Sequence, residues 1–190
     1  MELFNSETGI RAQLHGDVWI RQGKNLTREQ ILENPDRKFK NLIVDVCSNL
    51  IAEWAIRGNP GFLRSSATDY PGILSLAVGT GAVGWDLQNP PVETAGQTRL
   101  FGELVNGRKP FTTVNYTDGL GNVSSPPTNV IDFLTTFTET QAVGPIVEMG
   151  LFGGNNSLVV DEGMMVNYKT FAVINKSATS SLSILWRLTF

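Results

Sequence analysis

Leu182-Ser183-Ile184-Leu185-Trp186-Arg187-Leu188-Thr189-Phe190 carries apolar side chains at every second position: Leu182, Ile184, Trp186, Leu188 and Phe190. Ser183, Arg187 and Thr189 fill most of the alternate positions, and Leu185 is the one apolar exception. A period of two is that of a strand with one buried face. Burying five such side chains contributes roughly 1.5 to 3 kcal/mol each before conformational entropy is charged. A core strand is therefore predicted at 182–190, and its removal is predicted to be a severe lesion.

Working outward, strands are predicted at 164–174, 146–152, 130–139, 111–116 and 73–78, separated by turn residues such as Asp118-Gly119 and the 124–127 spacer. The stretch 175–181 is short enough to join the last two strands as an antiparallel hairpin. About six strands with few helices between them argue for an antiparallel β-sandwich over a parallel α/β sheet. Thr94 and Gln97 have the spacing of a capping box, which predicts a brief helix running to Val105 and closed by Gly107.

The first 71 residues read differently. Residues 1–26 have few apolar anchors beyond a short candidate strand at 17–21, and they read as an arm, either flexible or ordered on a neighbouring subunit. Thr27 and Gln30 form a capping box that opens a short helix through Glu33, and Asn34-Pro35 is read as restarting it. Phe39, Ile43, Val46, Leu50 and Trp54 step by four, three, four and four, which predicts one long α-helix over 36–57 with these residues in the core. Gly58 and Pro60 would end it. The expected organisation is an arm at 1–26, a helical segment at 27–71 and a mainly β domain at 72–190. Ile184, Trp186 and Leu188 are the predicted centre of that domain's core.

At 190 residues the chain can build one self-sufficient core but scarcely two. The net charge of −3, with no Lys/Arg run, leaves no electrostatic footprint for nucleic acid or an acidic membrane surface. One cysteine, Cys47, rules out an internal disulfide framework and a cysteine-built zinc site. The first residues lack a basic segment followed by an apolar run, and no stretch approaches the roughly 20 apolar residues of a membrane span. Synthesis and folding in a cytoplasm are expected.

No motif for catalysis rises above background. His15, the only histidine, has no clustered partner and reads as a surface residue. Cys47 reads as a small buried hydrophobe. Gly79-Thr80-Gly81-Ala82-Val83-Gly84 has the spacing Gly-x-Gly-x-x-Gly, but Trp85-Asp86 and two prolines follow in place of a helix, so it reads as a loop shaped by glycine. Asp118-Gly119 and Asp161-Glu162-Gly163 are turn chemistry without the alternating carboxylates of a calcium loop. No cofactor or metal is expected. Trp54 and Trp186 are assigned to the core, and Trp85, in a loop, is the candidate exposed contact.

Several stretches resemble a group of tailed-bacteriophage virion proteins. They are Leu74-Ser75-Leu76-Ala77-Val78-Gly79-Thr80-Gly81, the Trp85-Asp86-Leu87-Gln88-Asn89-Pro90-Pro91 loop, the segment with Thr98, Leu100 and Glu103, and Glu148-Met149-Gly150-Leu151-Phe152. Gly163-Met164-Met165 leading into Tyr168-Lys169-Thr170-Phe171, and the ending from Ile174-Asn175-Lys176 to Trp186-Arg187-Leu188-Thr189-Phe190, belong to the same pattern. The resemblance covers 72–190 and belongs to a structural module, so it transfers no catalytic residue. It implies a β-sandwich or jelly-roll carried on phage particles, commonly homotrimeric, in capsid cement (decoration) proteins and in tail or neck appendages. The expected function is that of a non-enzymatic virion protein. A cement protein that stabilises the major capsid lattice ranks first, a neck, tail or fibre protein second, and a carbohydrate-binding module using Trp85 third. The expected partners are copies of itself and the major capsid protein or other virion proteins, with no nucleic acid and no membrane.

Overall fold

The computed structural model describes residues 15–44, 72–118, 120–154 and 156–190. Among them are ten strands and one short helix: β1 (His15–Gln22), α1 (Arg28–Glu33), β2 (Arg37–Ile43), β3 (Ile73–Gly79), β4 (Glu103–Pro110), β5 (Thr113–Thr117), β6 (Val123–Ser124), β7 (Val130–Phe137), β8 (Gly144–Gly153), β9 (Met164–Lys176) and β10 (Leu182–Thr189). All pairings are antiparallel, and the strands form one sheet in the order β4-β3-β8-β9-β2-β1-β10-β7-β5-β6.

β2 is the corner of this sheet. Its first five residues pair with β1, and Leu42 and Ile43 then pair with β9. Everything on the β1 side forms one half of the sheet and everything on the β9 side the other. Both halves contribute to a single core: Val18, Phe137 and Trp186 come from one, and Leu76, Leu151 and Val166 from the other. Ile184, Trp186 and Leu188 are completely buried there.

Leu185 points the opposite way from these three, yet it too is fully buried. It meets Ile31 of α1 together with Trp19 and Leu134, so the helix covers the outer face of the β1 half. The capping box that starts α1 is present in both directions, with the Gln30 amide donating to Thr27 Oγ1 at 3.3 Å and the Thr27 amide donating to Gln30 Oε1 at 2.9 Å. Arg28 anchors the helix by reaching Asp132 on β7, which also takes a bidentate pair from Arg187 on β10. Asp132 is 1% exposed, so both guanidinium groups neutralise it away from water.

Four expectations need correction. The long helix predicted over 36–57 is not seen: residues 37–43 are β2, Asn34 is the C-cap of α1, and Pro35 restarts nothing. Phe39 and Ile43 are four apart, an even spacing that shares one face in a strand as well as in a helix, and pairing with β1 decides the matter. Both are half-buried against the common core, and Phe39 stacks on Phe171 at 5.1 Å. Val46, Leu50 and Trp54 lie outside the described residues.

The helix predicted from Thr94 to Val105 is a single turn followed by β4, and Gly107 sits within that strand. Strands β9 and β10 do not form a hairpin, since β9 pairs with β8 and β2 while β10 pairs with β1 and β7. Residues 177–181 are an arch between the halves. The arm expected over 1–26 contains β1, which lies inside the sheet between β2 and β10.

Because both faces of β10 are buried, Leu185→Ala and Leu188→Ala are expected to destabilise the fold by similar amounts, about 2–5 kcal/mol each. Urea denaturation of the two variants checks this; a negligible cost at Leu185 alone would mean that α1 does not cover the sheet.

Candidate interaction surface

The loop from Thr80 to Gly102 follows β3 and returns along the outer face of the β9 half. Such a face is apolar in part: Val44, Ala77, Phe152, Met165 and Tyr168 form a second cluster that Leu100 of the loop joins. The backbone of a long loop lying on it must still find hydrogen-bond partners. Glu148, completely buried on β8, supplies them. Its Oε1 accepts from the amides of Gly81 at 3.2 Å, Phe101 at 2.9 Å and Gly102 at 2.8 Å, and its Oε2 accepts from the Tyr168 hydroxyl at 2.7 Å. The two ends of the loop also meet directly, where the Thr80 amide donates to the Gly102 carbonyl at 2.7 Å. A Cβ at Gly102 would lie 2.5 Å from the Gly81 carbonyl oxygen, so only glycine permits this approach. Farther along, the loop is tied to β9 by Thr170, which donates to the Pro91 carbonyl, and by the Lys169–Glu93 ion pair.

Among the side chains this held loop presents, several are apolar. Trp85 is half-buried, with its ring against Phe101 at 4.9 Å, and it is Phe101 that faces outward at 54% exposure. Val83, in the same loop, and Val105, on β4, are exposed as well. The Gly-x-Gly-x-x-Gly stretch closes β3 and turns at Ala82–Trp85, with Gly81 and Gly84 at positive φ and no helix after it.

A second loop, between β8 and β9, is also held by side chains from the sheet. Arg108 and Glu103 of β4 form an ion pair with both side chains only 2% exposed, and the guanidinium lies 3.8 Å from the centre of the Phe152 ring. From there Arg108 Nη1 donates to the carbonyls of Ser157 at 3.0 Å and Glu162 at 2.9 Å. Ser75 on β3 donates to the same Ser157 carbonyl. Gly163, at φ +80°, closes the loop where a Cβ would stand 2.7 Å from Ser157 Cα. Between these fixed points Leu158, Val159 and Val160 are each about half exposed, followed by the exposed Asp161 and Glu162. Three consecutive solvent-facing aliphatics at the tip of a pinned loop are the pattern of a contact surface.

Two further cations, one buried and one half-buried, serve other connections. Lys176 is 2% exposed and donates to the carbonyls of Thr138 and Glu139, in the arch from β7 to β8. Lys109 donates to the Thr136 carbonyl and Gln141 Oε1 at the same arch. Burial pushes both ammonium pKa values below their ordinary range, with Glu139 opposing the shift at Lys176.

His15 opens β1 opposite Thr189, and Cys47 lies outside the described residues. Asp118 accepts from the amides of Leu120 and Asn122, a turn closed by its own side chain. Among the described residues no three His, Cys, Asp or Glu side chains gather as metal ligands, and no helix is long and apolar enough to cross a membrane. The sequence reading singled out Trp85 but neither Phe101 nor the 158–160 tip. The signal for the tip was legible as Leu-Val-Val within an otherwise Gly/Asn/Asp-rich stretch. No protein-family model matches the chain, and no curated protein matches it.

Two outcomes follow from the Glu148 cluster. Glu148→Ala leaves three amides and a phenol unpartnered, and is expected to cost about 3–5 kcal/mol with faster hydrogen exchange at Gly81, Phe101 and Gly102. Burial, and then the Glu148 carboxylate, push the Tyr168 phenol well above its ordinary pKa. The unfolded chain would release that proton near pH 10 while the native one holds it, so stability falls as pH rises above about 10. Phenolate absorbance should be the same for native wild type and Tyr168→Phe near pH 11, and the variant's stability should decline less steeply there.

Proposed function

We propose that this chain is a non-enzymatic structural protein of a tailed-phage particle, built as a jelly-roll-like β-sandwich and acting as a capsid cement protein. The observation that supports it best is the use made of the buried and half-buried charges. Glu148, the Arg108–Glu103 pair, Lys109 and Lys176 each hold a connecting segment in place, and two of the segments so held expose aliphatic or aromatic side chains. Rigid loops presenting apolar surface suit a protein whose work is to make contacts.

Strand pairing is a poor route to those contacts. At one end of the sheet β6 is two residues long. At the other, β4 carries a register shift opposite Ala77 and Gly79, a positive φ at Asn106 and a terminal Pro110, all of which blunt an edge. Association through loops is the alternative, both for a homotrimer and for the capsid lattice. A protein that binds the assembled lattice and not its free subunits stabilises it by mass action.

The test is the amount of this protein relative to the major capsid protein in purified particles. A near-stoichiometric ratio is expected. A few copies per particle would move it to the neck, tail or fibre, and absence from particles would discard the reading.

A further inference from the structure

We infer that the loop tip Leu158-Val159-Val160 with its neighbours Asp161 and Glu162 is the primary docking element of this protein, and that its partner is a different protein offering an apolar socket rimmed by basic side chains. The identity of the particle used as probe below rests on the virion reading; the chemistry of the contact does not.

Three features of the tip carry the inference. It is pre-formed: Arg108, Ser75 and the turn bonds from Val159 to the Asn156 carbonyl and from Glu162 to the Val159 carbonyl fix its backbone before any partner arrives. A loop already ordered loses little conformational freedom on binding. It is apolar where a solvated loop would be polar, since Leu158, Val159 and Val160 expose 53, 48 and 51% of their surface. It is also acidic beside the aliphatics, because neither Asp161 nor Glu162 has an ion-pair partner among the described residues.

The charges narrow the partner. Two carboxylates next to the aliphatic tip would be repelled by an anionic lipid surface, which argues against membrane insertion. A second copy of this chain offers an apolar groove of about 290 Å³, lined by Ile73, Leu74, Val114, Tyr116, Ile131 and Phe190 among others. No lysine or arginine lines it, so it lacks the basic rim that Asp161 and Glu162 call for. Three half-exposed aliphatics also cover far less than the roughly 1,200 Å² that a specific stable interface buries. One tip alone is therefore a weak contact, and several tips borne by one oligomer reach useful strength together through effective concentration.

The experiment uses the full chain and particles of its phage depleted of the protein, with bound protein quantified after sedimentation. Replacing the tip (Leu158→Ser, Val159→Ser, Val160→Ser) is expected to weaken binding at least 10-fold while the melting temperature and the oligomeric state stay unchanged. Asp161→Asn with Glu162→Gln is expected to weaken binding a few-fold and to flatten its decline with added salt. Wild-type binding by both variants would overturn the inference while leaving the virion reading standing. Loss of the oligomer in the tip variant, read by sedimentation velocity, would overturn it in favour of a subunit interface. Wild-type protein that ignores the particles but binds vesicles containing anionic lipid would overturn it in favour of a membrane.

Discussion

A chain that crosses from one half of a sheet to the other must carry its peptide groups past the end of an apolar core, where strand pairing no longer satisfies them and water reaches them poorly. Among the described residues the chain makes such a crossing three times, from β4 to β5, from β7 to β8 and from β9 to β10, and the last two lie in adjacent places. The end of β7 lies beside the start of β10, at Phe137 and Leu182, and the start of β8 lies beside the end of β9, at Gly144 and Lys176. The two arches are thus neighbours. Lys176 stands at the end of one and binds the carbonyls of the other. Its ammonium is retained in a buried place because it donates to two carbonyls of the neighbouring arch, and so ties the two arches together.

The same constraint recurs wherever a segment leaves the sheet. The outer face of the β9 half is covered by loops in place of a helix, and loops have unpaired amides and carbonyls. Amides converge on an anion, Glu148; carbonyls converge on cations, Arg108, Lys109 and Lys176. The sign of each buried charge follows from which backbone group it serves. On the other half a capped helix, α1, lies over the sheet, and the face there is closed mainly by aliphatic packing against Ile31. Its one buried charged cluster, Arg28 and Arg187 on Asp132, ties side chains from three elements together.

These differences set what could be read from the sequence. β10 was legible because Leu182, Ile184, Trp186, Leu188 and Phe190 keep a period of two across its whole length. Leu185 was visible as an exception, but its explanation lies in α1, about 150 residues earlier. β2 was misread because the spacing from Phe39 to Ile43 fits a helix and a strand alike. β4 contains Asn106, Gly107 and Pro110, residues that argue locally against a strand, and only pairing with β3 makes it one. The arches escaped notice because a five-residue connection between two good strands is, by local rules, a hairpin.

The contact surface was the least legible part for a related reason. An exposed Leu-Val-Val run acquires meaning only once it is known to be held away from the core, and what holds it is Arg108, some fifty residues distant in the chain. Sequence proximity could not join the two. Glu148 was closer to being readable, since an acidic residue inside the apolar run Ile146-Val147-Glu148-Met149 can remain there only with several donors around it. A lone ionisable residue within an otherwise apolar strand therefore indicates a loop folded back over that strand. Lys176, at the end of the apolar stretch of β9, follows the same rule with the opposite sign, and the carbonyls it gathers mark the place where the chain crosses over.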